Sequence, residues 1–153
     1  MHSLLEIVIN EPFQAELIAP LYSNRSDLFL AFPKAKYPFS QGQWHEVITR
    51  DPENTSLMLK RAGEIIGHAA LLINGERLYL CFIIIKKEYR GNNLAKELIA
   101  QCEEFCRLNY NHRELWLNVD EKNINAIGLY LRQDYVIENQ NGDTITMKKK
   151  LKT

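Results

Sequence analysis

The chain has no surplus of charge of either sign, since nineteen Lys and Arg face nineteen Asp and Glu for a formal net charge of zero. Without a bulk field there is nothing to draw in nucleic acid or an anionic membrane surface, and neither is expected as a partner. Cysteine is scarce. Cys81, Cys102 and Cys106 are odd in number, form no CxxC pair and lie in apolar segments, so they read as small buried hydrophobes of a reducing compartment. The four histidines, His2, His45, His68 and His112, follow neither HxxxH nor HExxH spacing, so no metal is expected. No segment approaches the ~20 apolar residues of a membrane helix. The opening MHSLLEIVINEPF lacks a basic n-region, a long apolar stretch and a small-residue cleavage site, so a soluble cytoplasmic protein is the expectation. Repeats, low-complexity tracts and Gly/Ser linkers are also missing, which leaves residues 1–153 as one expected domain.

What is present is a core and a clear order of elements. Of the 153 residues, 46% are hydrophobic, enough to close one domain without disulfides or metal. Ser3 to Ile9 reads as a strand and PFQAELIAPLY as a helix opened by Pro12. DLFLAFPKAKYPFSQGQW is rich in proline and aromatics and reads as irregular, followed by SQGQWHEVITR as a helix capped by Ser40. SLMLKRA, EIIGHAALLIN and ERLYLCFIII, separated by GE and NGE, predict three antiparallel strands joined by tight turns. From Leu94 the period changes. Leu94, Leu98, Ile99, Cys102, Phe105 and Cys106 share one helical face, with Lys96, Glu97, Glu103 and Glu104 expected outward. ELWLNV reads as a strand, NINAIGLYLRQ as an amphipathic helix, and YVIENQNGDTITMKKKL as a hairpin turning at Asn141-Gly142 in a type I′ turn. The class is α+β with a mixed sheet.

The stretch IIIKKEYRGNN, residues 83 to 93, carries the chemistry. A strand that feeds a helix through Arg90, Gly91, Asn92 and Asn93 leaves the first N–H groups of that helix unpaired, with the positive end of the helix dipole behind them. Gly91 lets a ligand approach the backbone, Asn93 tolerates left-handed torsions, and Ala95 keeps the first turn slim. Arg90, with Lys86, Lys87 and Lys96 close by, adds charge for a phosphate. The same loop also fits an ordinary strand-to-helix turn. Neither GxxxxGK(S/T) nor GxGxxG is present, so it is not a triphosphate or dinucleotide loop.

IKKEYRGNNLAKELI resembles the acetyl-coenzyme A motif of the GNAT N-acetyltransferases, R/Q-x-x-G-x-G/A opening a long helix. Arg90 and Ala95 match, and Asn93 replaces the usual glycine. NVDEKNINAIGLYLRQDYV resembles the second signature of that family, N-x-x-A-x-x-L-Y followed by a glycine and an aromatic. Asn123, Ala126, Leu129, Tyr130 and Tyr135 match, with Asp134 in the glycine's place. The order of elements agrees along nearly the whole chain. The resemblance implies a mixed, mostly antiparallel central sheet of about six to seven strands flanked by about four helices.

It also implies roles for residues. Acetyl-CoA would be the co-substrate, its arm pairing with the strand at Ile83, Ile84 and Ile85 and oriented by Asn123. Its pyrophosphate would rest on Arg90, Gly91, Asn92, Asn93, Leu94, Ala95 and Lys96. A strand N–H near Ile83 to Ile85 would meet the oxyanion, and Tyr130 would protonate the departing thiolate. On periodicity alone Tyr130 packs in a core stripe, and Asn123 is a helix N-cap, a role compatible with the other. Candidates for the base, acting through an ordered water, are Glu76, Asp120, Glu121, His68 and Tyr79, with His68 better read as a satisfied core histidine. The acceptor, a small-molecule amine or a protein N-terminus or lysine, would meet Phe32, Tyr37 and Trp44, or these aromatics cover the sheet edge instead. A CoA-binding sensor without catalysis is the rival reading. Lys148, Lys149, Lys150 and Lys152 read as a solvated edge rather than a nucleic-acid surface. Exposed edges in such sheets often pair, which leaves a homodimer open.

Overall fold

A computed structural model describes residues 5–151. They build one seven-stranded sheet in the order β1-β2-β3-β4-β5-β7-β6, with β1 Leu5–Ile9, β2 Thr55–Arg61, β3 Glu64–Asn74, β4 Arg77–Ile85, β5 Glu114–Asp120, β6 Val136–Asn141 and β7 Thr144–Lys150. Every neighbouring pair is antiparallel except β4 with β5. Four helices cover it: α1 Arg25–Ala31, α2 Gln41–Thr49, α3 Leu94–Asn109 and α4 Ile124–Arg132. The expected α+β sheet is therefore present. The expected start of the first strand at Ser3 lies outside the described residues.

Strand alternation divides the buried side chains between two cores. Leu57 and Leu59 of β2 join Leu98, Ile99, Cys102 and Cys106 of α3 in one core. Met58, between them in sequence, joins Tyr22, Leu28, Phe32 and Trp44 on the opposite face. His68 of β3 lies fully buried and satisfied: its Nδ1 is 2.8 Å from the Tyr22 hydroxyl and its Nε2 is 2.8 Å from Ser56 Oγ.

Several local expectations differ from the structure. The segment expected as a helix from Pro12 holds only two short 3-10 turns, Ala15–Leu17 and Ala19–Tyr22. Pro20, which has no N–H to give, sits in the first turn of the second and prevents a continuous α-helix. A helix, α1, lies further on, and runs from Arg25 into the stretch expected to be irregular. Asn24 caps it by accepting from the Asp27 N–H at 3.1 Å. In the last hairpin the turn is Gly142-Asp143, because Asn141 already pairs with Thr144. Gly142 has φ +61 while neither Asn141 nor Asp143 has a positive φ, so type I′, which needs two such residues in succession, is excluded.

Two charged groups also depart from expectation. Glu103 is not on the solvent face of α3. It is buried, accepting from Tyr135 Oη at 2.8 Å and Lys149 Nζ at 2.9 Å. The lysine-rich strand is no edge either, since β7 lies between β5 and β6. Lys148 there pairs with Glu114 at 3.2 Å and Glu138 at 3.5 Å. Among the described residues no helix is long and apolar enough to cross a membrane.

Burial sets one pH dependence. Desolvation pushes the His68 imidazole down to about 3, against an ordinary value of 6.5. Between those two values the unfolded chain takes up a proton that the folded one refuses, so stability is full above about pH 6.5 and is lost as pH falls toward 3. His68 alone is expected to contribute up to about 1.4 kcal/mol per pH unit inside that window. Chemical denaturation at pH 7, 5.5 and 4.5 checks this: His68→Asn should show a visibly flatter dependence than the parent, and identical slopes would refute it.

Candidate active site

The site begins where two strands part. β4 and β5 run parallel and pair at Leu78 with Leu115 and at Tyr79 with Trp116. Beyond those pairs β4 continues to Ile85 and β5 to Asp120 without pairing to each other again. The opening between them is a cleft of about 1340 Å³, lined by Leu80 to Ile85, by the loop into α3, by Asn118 to Asp120 and by α4.

A bulge in β4 accompanies the parting. Cys81 pairs with Ala70 and Ile84 with His68, so Phe82 and Ile83 together stand opposite Ala69. Phe82 takes φ +59, a left-handed torsion uncommon for an aromatic residue. The extra residue inverts the parity of the strand. Leu78 and Leu80 face the α3 core before it; Ile83 and Ile85 face that core after it, while Phe82 and Ile84 pack on the other side. Lys86 N–H donates to the Ile66 carbonyl at 2.7 Å. By alternation Ile84 also bonds toward β3, which turns the backbone N–H groups of Ile83 and Ile85 toward the cleft.

The loop after β4 is shaped by two left-handed residues, Gly91 at φ +84 and Asn93 at φ +60. Asn93 occupies the N-cap position of α3 but its side chain caps nothing. The first helical bond is Glu97 N–H to the Asn93 carbonyl at 3.2 Å, so the N–H groups of Leu94, Ala95 and Lys96 are left for a ligand. Gly91, Asn93, Leu94, Ala95 and Lys96 all line the cleft. Asn92 does not; its amide donates to the Tyr89 carbonyl at 3.2 Å and closes the loop. Arg90 lines the cleft but is engaged. Its Nε donates to the Ile85 carbonyl at 2.8 Å, and its guanidinium grips both carboxylate oxygens of Asp27 at 3.1 Å, tying the loop to α1. Lys86 is held by Glu64 at 2.6 Å and Glu88 at 3.6 Å. Lys96 is thus the cation of this loop that lines the cleft without an ion pair among the described residues.

On the far wall, Asn123 accepts from the Ala126 N–H at 3.4 Å as the N-cap of α4 and also lines the cleft. Tyr130, on the inner face of α4, is 9% exposed and lines the cleft beside Cys81. Burial, with a smaller push from Cys81, raises its phenol well above the usual value, so it holds its proton at neutral pH. Burial pushes the Cys81 thiol up to about 12.

The expected acceptor residues are not brought to the cleft. Phe32 and Trp44 are buried in the core beneath α1 and α2, their rings 5.2 Å apart, and Trp44 is fully enclosed. Tyr37 is exposed and takes the Arg25 guanidinium 5.3 Å above its ring. Leu30, Ala31 and Pro33 line that side instead, and a recess of about 620 Å³ beside them adds Arg25, Phe29, Asp120 and Lys122. Among the five residues weighed as a base, Asp120 alone lines the cleft, and His68 is sealed in the core. Aromatic content drew attention to Phe32 and Trp44, whereas Leu30 and Pro33 carried no signal beyond lying in the same segment.

With this geometry in view, comparison with known proteins gives one answer. The model of the acetyltransferase (GNAT) family matches residues 18–135. The chain belongs to that family; it is an N-acetyltransferase with acetyl-CoA as its co-substrate. A Bacillus subtilis (strain 168) protein named "Putative ribosomal protein bS18-alanine N-acetyltransferase" is 26% identical over 111 residues, 67% of this chain and 73% of that one. The spermidine N-acetyltransferase of Vibrio cholerae, solved with CoA and spermine, superposes with a TM-score of 0.78 at 22% identity, over 96% of this chain and 95% of that one. The PaiA N-acetyltransferase of Thermoplasma acidophilum, solved with coenzyme A, gives 0.74 at 19% identity, over 96% and 99%. The cleft fits such a co-substrate: unpaired backbone donors line one wall and an open helix N-terminus closes one end. Among the described residues no group of three or more His, Cys, Asp or Glu gathers as metal ligands.

Gly67 lets β3 lie close against the far end of β4. A Cβ there would meet Ile85 Cδ1 at 3.0 Å, the Ile84 carbonyl at 3.2 Å and Leu59 Cβ at 3.3 Å. Gly67→Ala should therefore lower stability by about 1–3 kcal/mol in thermal unfolding; a melting temperature equal to the parent's would mean that β4 has room to retreat.

Proposed function

We propose that residues 1–153 act as one acetyltransferase domain that moves the acetyl group from acetyl-CoA to a primary amine by direct attack in a ternary complex. The observation that carries this reading is the placement of Tyr130, a buried and protonated phenol lining the same cleft as the backbone N–H groups of Ile83 and Ile85. The neutral amine attacks the thioester carbon, and the oxyanion that develops takes hydrogen bonds from the strand N–H groups near Ile83. The C–S bond breaks as the C–N bond forms, Tyr130 gives its proton to the departing thiolate, and the phenolate regains one from solvent. Asp120 takes the proton that the attacking nitrogen sheds, through a water. Pyrophosphate oxygens take the N–H groups of Gly91 and Asn93 to Lys96, with Lys96 supplying charge. Asn123 orients the arm of the coenzyme, Arg90 holds the loop in shape, and Ile84 anchors the strand from its other face.

The names of the relatives point to two acceptor types, spermidine and the alanine of a ribosomal protein. In this chain the recess beside the cleft sets Arg25 and Lys122 against the single carboxylate of Asp120. That balance favours an acceptor with one ammonium, such as a peptide N-terminus, over a polyamine.

Thiol release from acetyl-CoA against a panel of short peptides, amino acids, polyamines and drug amines tests this. Peptides should outpace spermidine, and Tyr130→Phe should lower kcat by roughly a hundredfold with coenzyme affinity held within about twofold. Turnover unchanged in that variant removes Tyr130 from the acid's role; coenzyme binding without release to any amine favours a sensor. Gly91→Val, which forces a branched side chain to φ +84, should weaken coenzyme binding by about tenfold, and an unaltered dissociation constant would place the phosphates elsewhere.

A further inference from the structure

The residue that turns the cleft-facing donors of β4 is Phe82, and it is held by the core that lies under α1 and α2. Its ring sits 4.7 Å from Phe32 and 4.8 Å from Trp44, centre to centre. Its carbonyl accepts from the Tyr22 hydroxyl at 2.5 Å. The single proton of that hydroxyl is thereby committed, so the Tyr22 oxygen accepts from His68 Nδ1–H at 2.8 Å. His68 Nε2 then lacks a proton and accepts from Ser56 Oγ–H at 2.8 Å. Tyr22 and His68 are fully buried and Ser56 is nearly so, so water cannot stand in for a missing link. Each step has one direction, running from Ser56 on β2 through His68 on β3 and Tyr22 to the backbone of β4.

We infer that His68 and Tyr22 are positioning residues for acetyl transfer: the relay Ser56–His68–Tyr22 fixes the Phe82 carbonyl in the bulge and so aims the Ile83 N–H at the thioester oxygen. Neither side chain touches the substrates. The carbonyl of Phe82 and the N–H of Ile83 belong to the same peptide plane, so a hydrogen bond that fixes one fixes the direction of the other. A donor aimed in advance stabilises charge that appears only in the transition state, and it does little for the bound ground state. Loosening the relay therefore acts on kcat far more than on coenzyme binding.

This inference rests on the acetyltransfer chemistry proposed above, and its test is built to separate the two. Tyr22→Phe and His68→Leu are expected to lower kcat by about tenfold to a hundredfold, with KM for acetyl-CoA changed by less than about threefold. His68→Asn, whose amide N–H stands near the position of Nδ1–H, should recover a large part of that loss. The double variant Tyr22→Phe with His68→Leu should be no slower than Tyr22→Phe alone, because both act through one carbonyl. The amide resonance of Ile83 in a ¹H–¹⁵N spectrum should move in Tyr22→Phe, and Ser56→Ala, a milder change, should move it in the same direction. A folded Tyr22→Phe protein with parental kcat, or effects that multiply in the double variant, would overturn the inference. An Ile83 amide that stays in place in the folded variants would overturn it as well. Were the parent to acetylate no amine, the chemistry proposed above would fall by itself, and the Ile83 amide would still decide whether the relay sets that peptide plane.

Discussion

One extra residue in β4 organises this molecule. Up to Tyr79 the strand is an ordinary member of the sheet, paired on both sides. At Phe82 it gains a residue relative to β3, and its two faces exchange roles. A sheet normally leaves no backbone group unpaired in its interior, because such groups are costly. Here a run of donors is exposed in the middle of the sheet, between β4 and β5, where a thioester's arm can complete the ladder. The change of register decides which backbone groups of β4 face that opening, and it puts the N–H groups of Ile83 and Ile85 there.

Maintaining such a defect requires a stiff surround, and the two cores divide the task. On one face α3 packs Leu98, Ile99, Cys102 and Cys106 against the flat part of the sheet. It also receives Tyr135 and Lys149 on the buried Glu103, which joins the terminal hairpin to the helix. On the other face the cluster of Tyr22, Phe32, Trp44 and Phe82 grips the bulge itself. The loop at the head of α3 is braced separately: Arg90 spans from the Ile85 carbonyl to Asp27. The loop that opens α3 and the helix α1 are therefore one mechanical unit.

Much of this was legible in the sequence where the signal is local. The three central strands, α3 and α4 each carry their own period, and the left-handed torsion that an asparagine tolerates is the one Asn93 adopts. The failures share a cause. Glu103 looked solvated because its partners lie 32 and 46 residues away. Arg90 looked free for phosphate because Asp27 is 63 residues away. Phe32 and Trp44 were marked as aromatics of a variable segment, and no pattern along the chain says whether such rings face a cleft or the underside of the sheet. The bulge itself was invisible, since ERLYLCFIII reads as one continuous apolar run with no glycine to betray it.

Cys81 places a sulfhydryl of the protein's own on the wall of the cleft in which the proposed transfer would liberate another. A cysteine in that position is exposed to two side reactions, capture of the acetyl group from the thioester and mixed-disulfide formation with the released coenzyme. Both require the thiolate. Burial pushes the Cys81 thiol up to about 12, which disfavours that thiolate at neutral pH. The desolvation that raises the Tyr130 phenol therefore also raises its neighbour's thiol, and leaves less of the species that either side reaction needs.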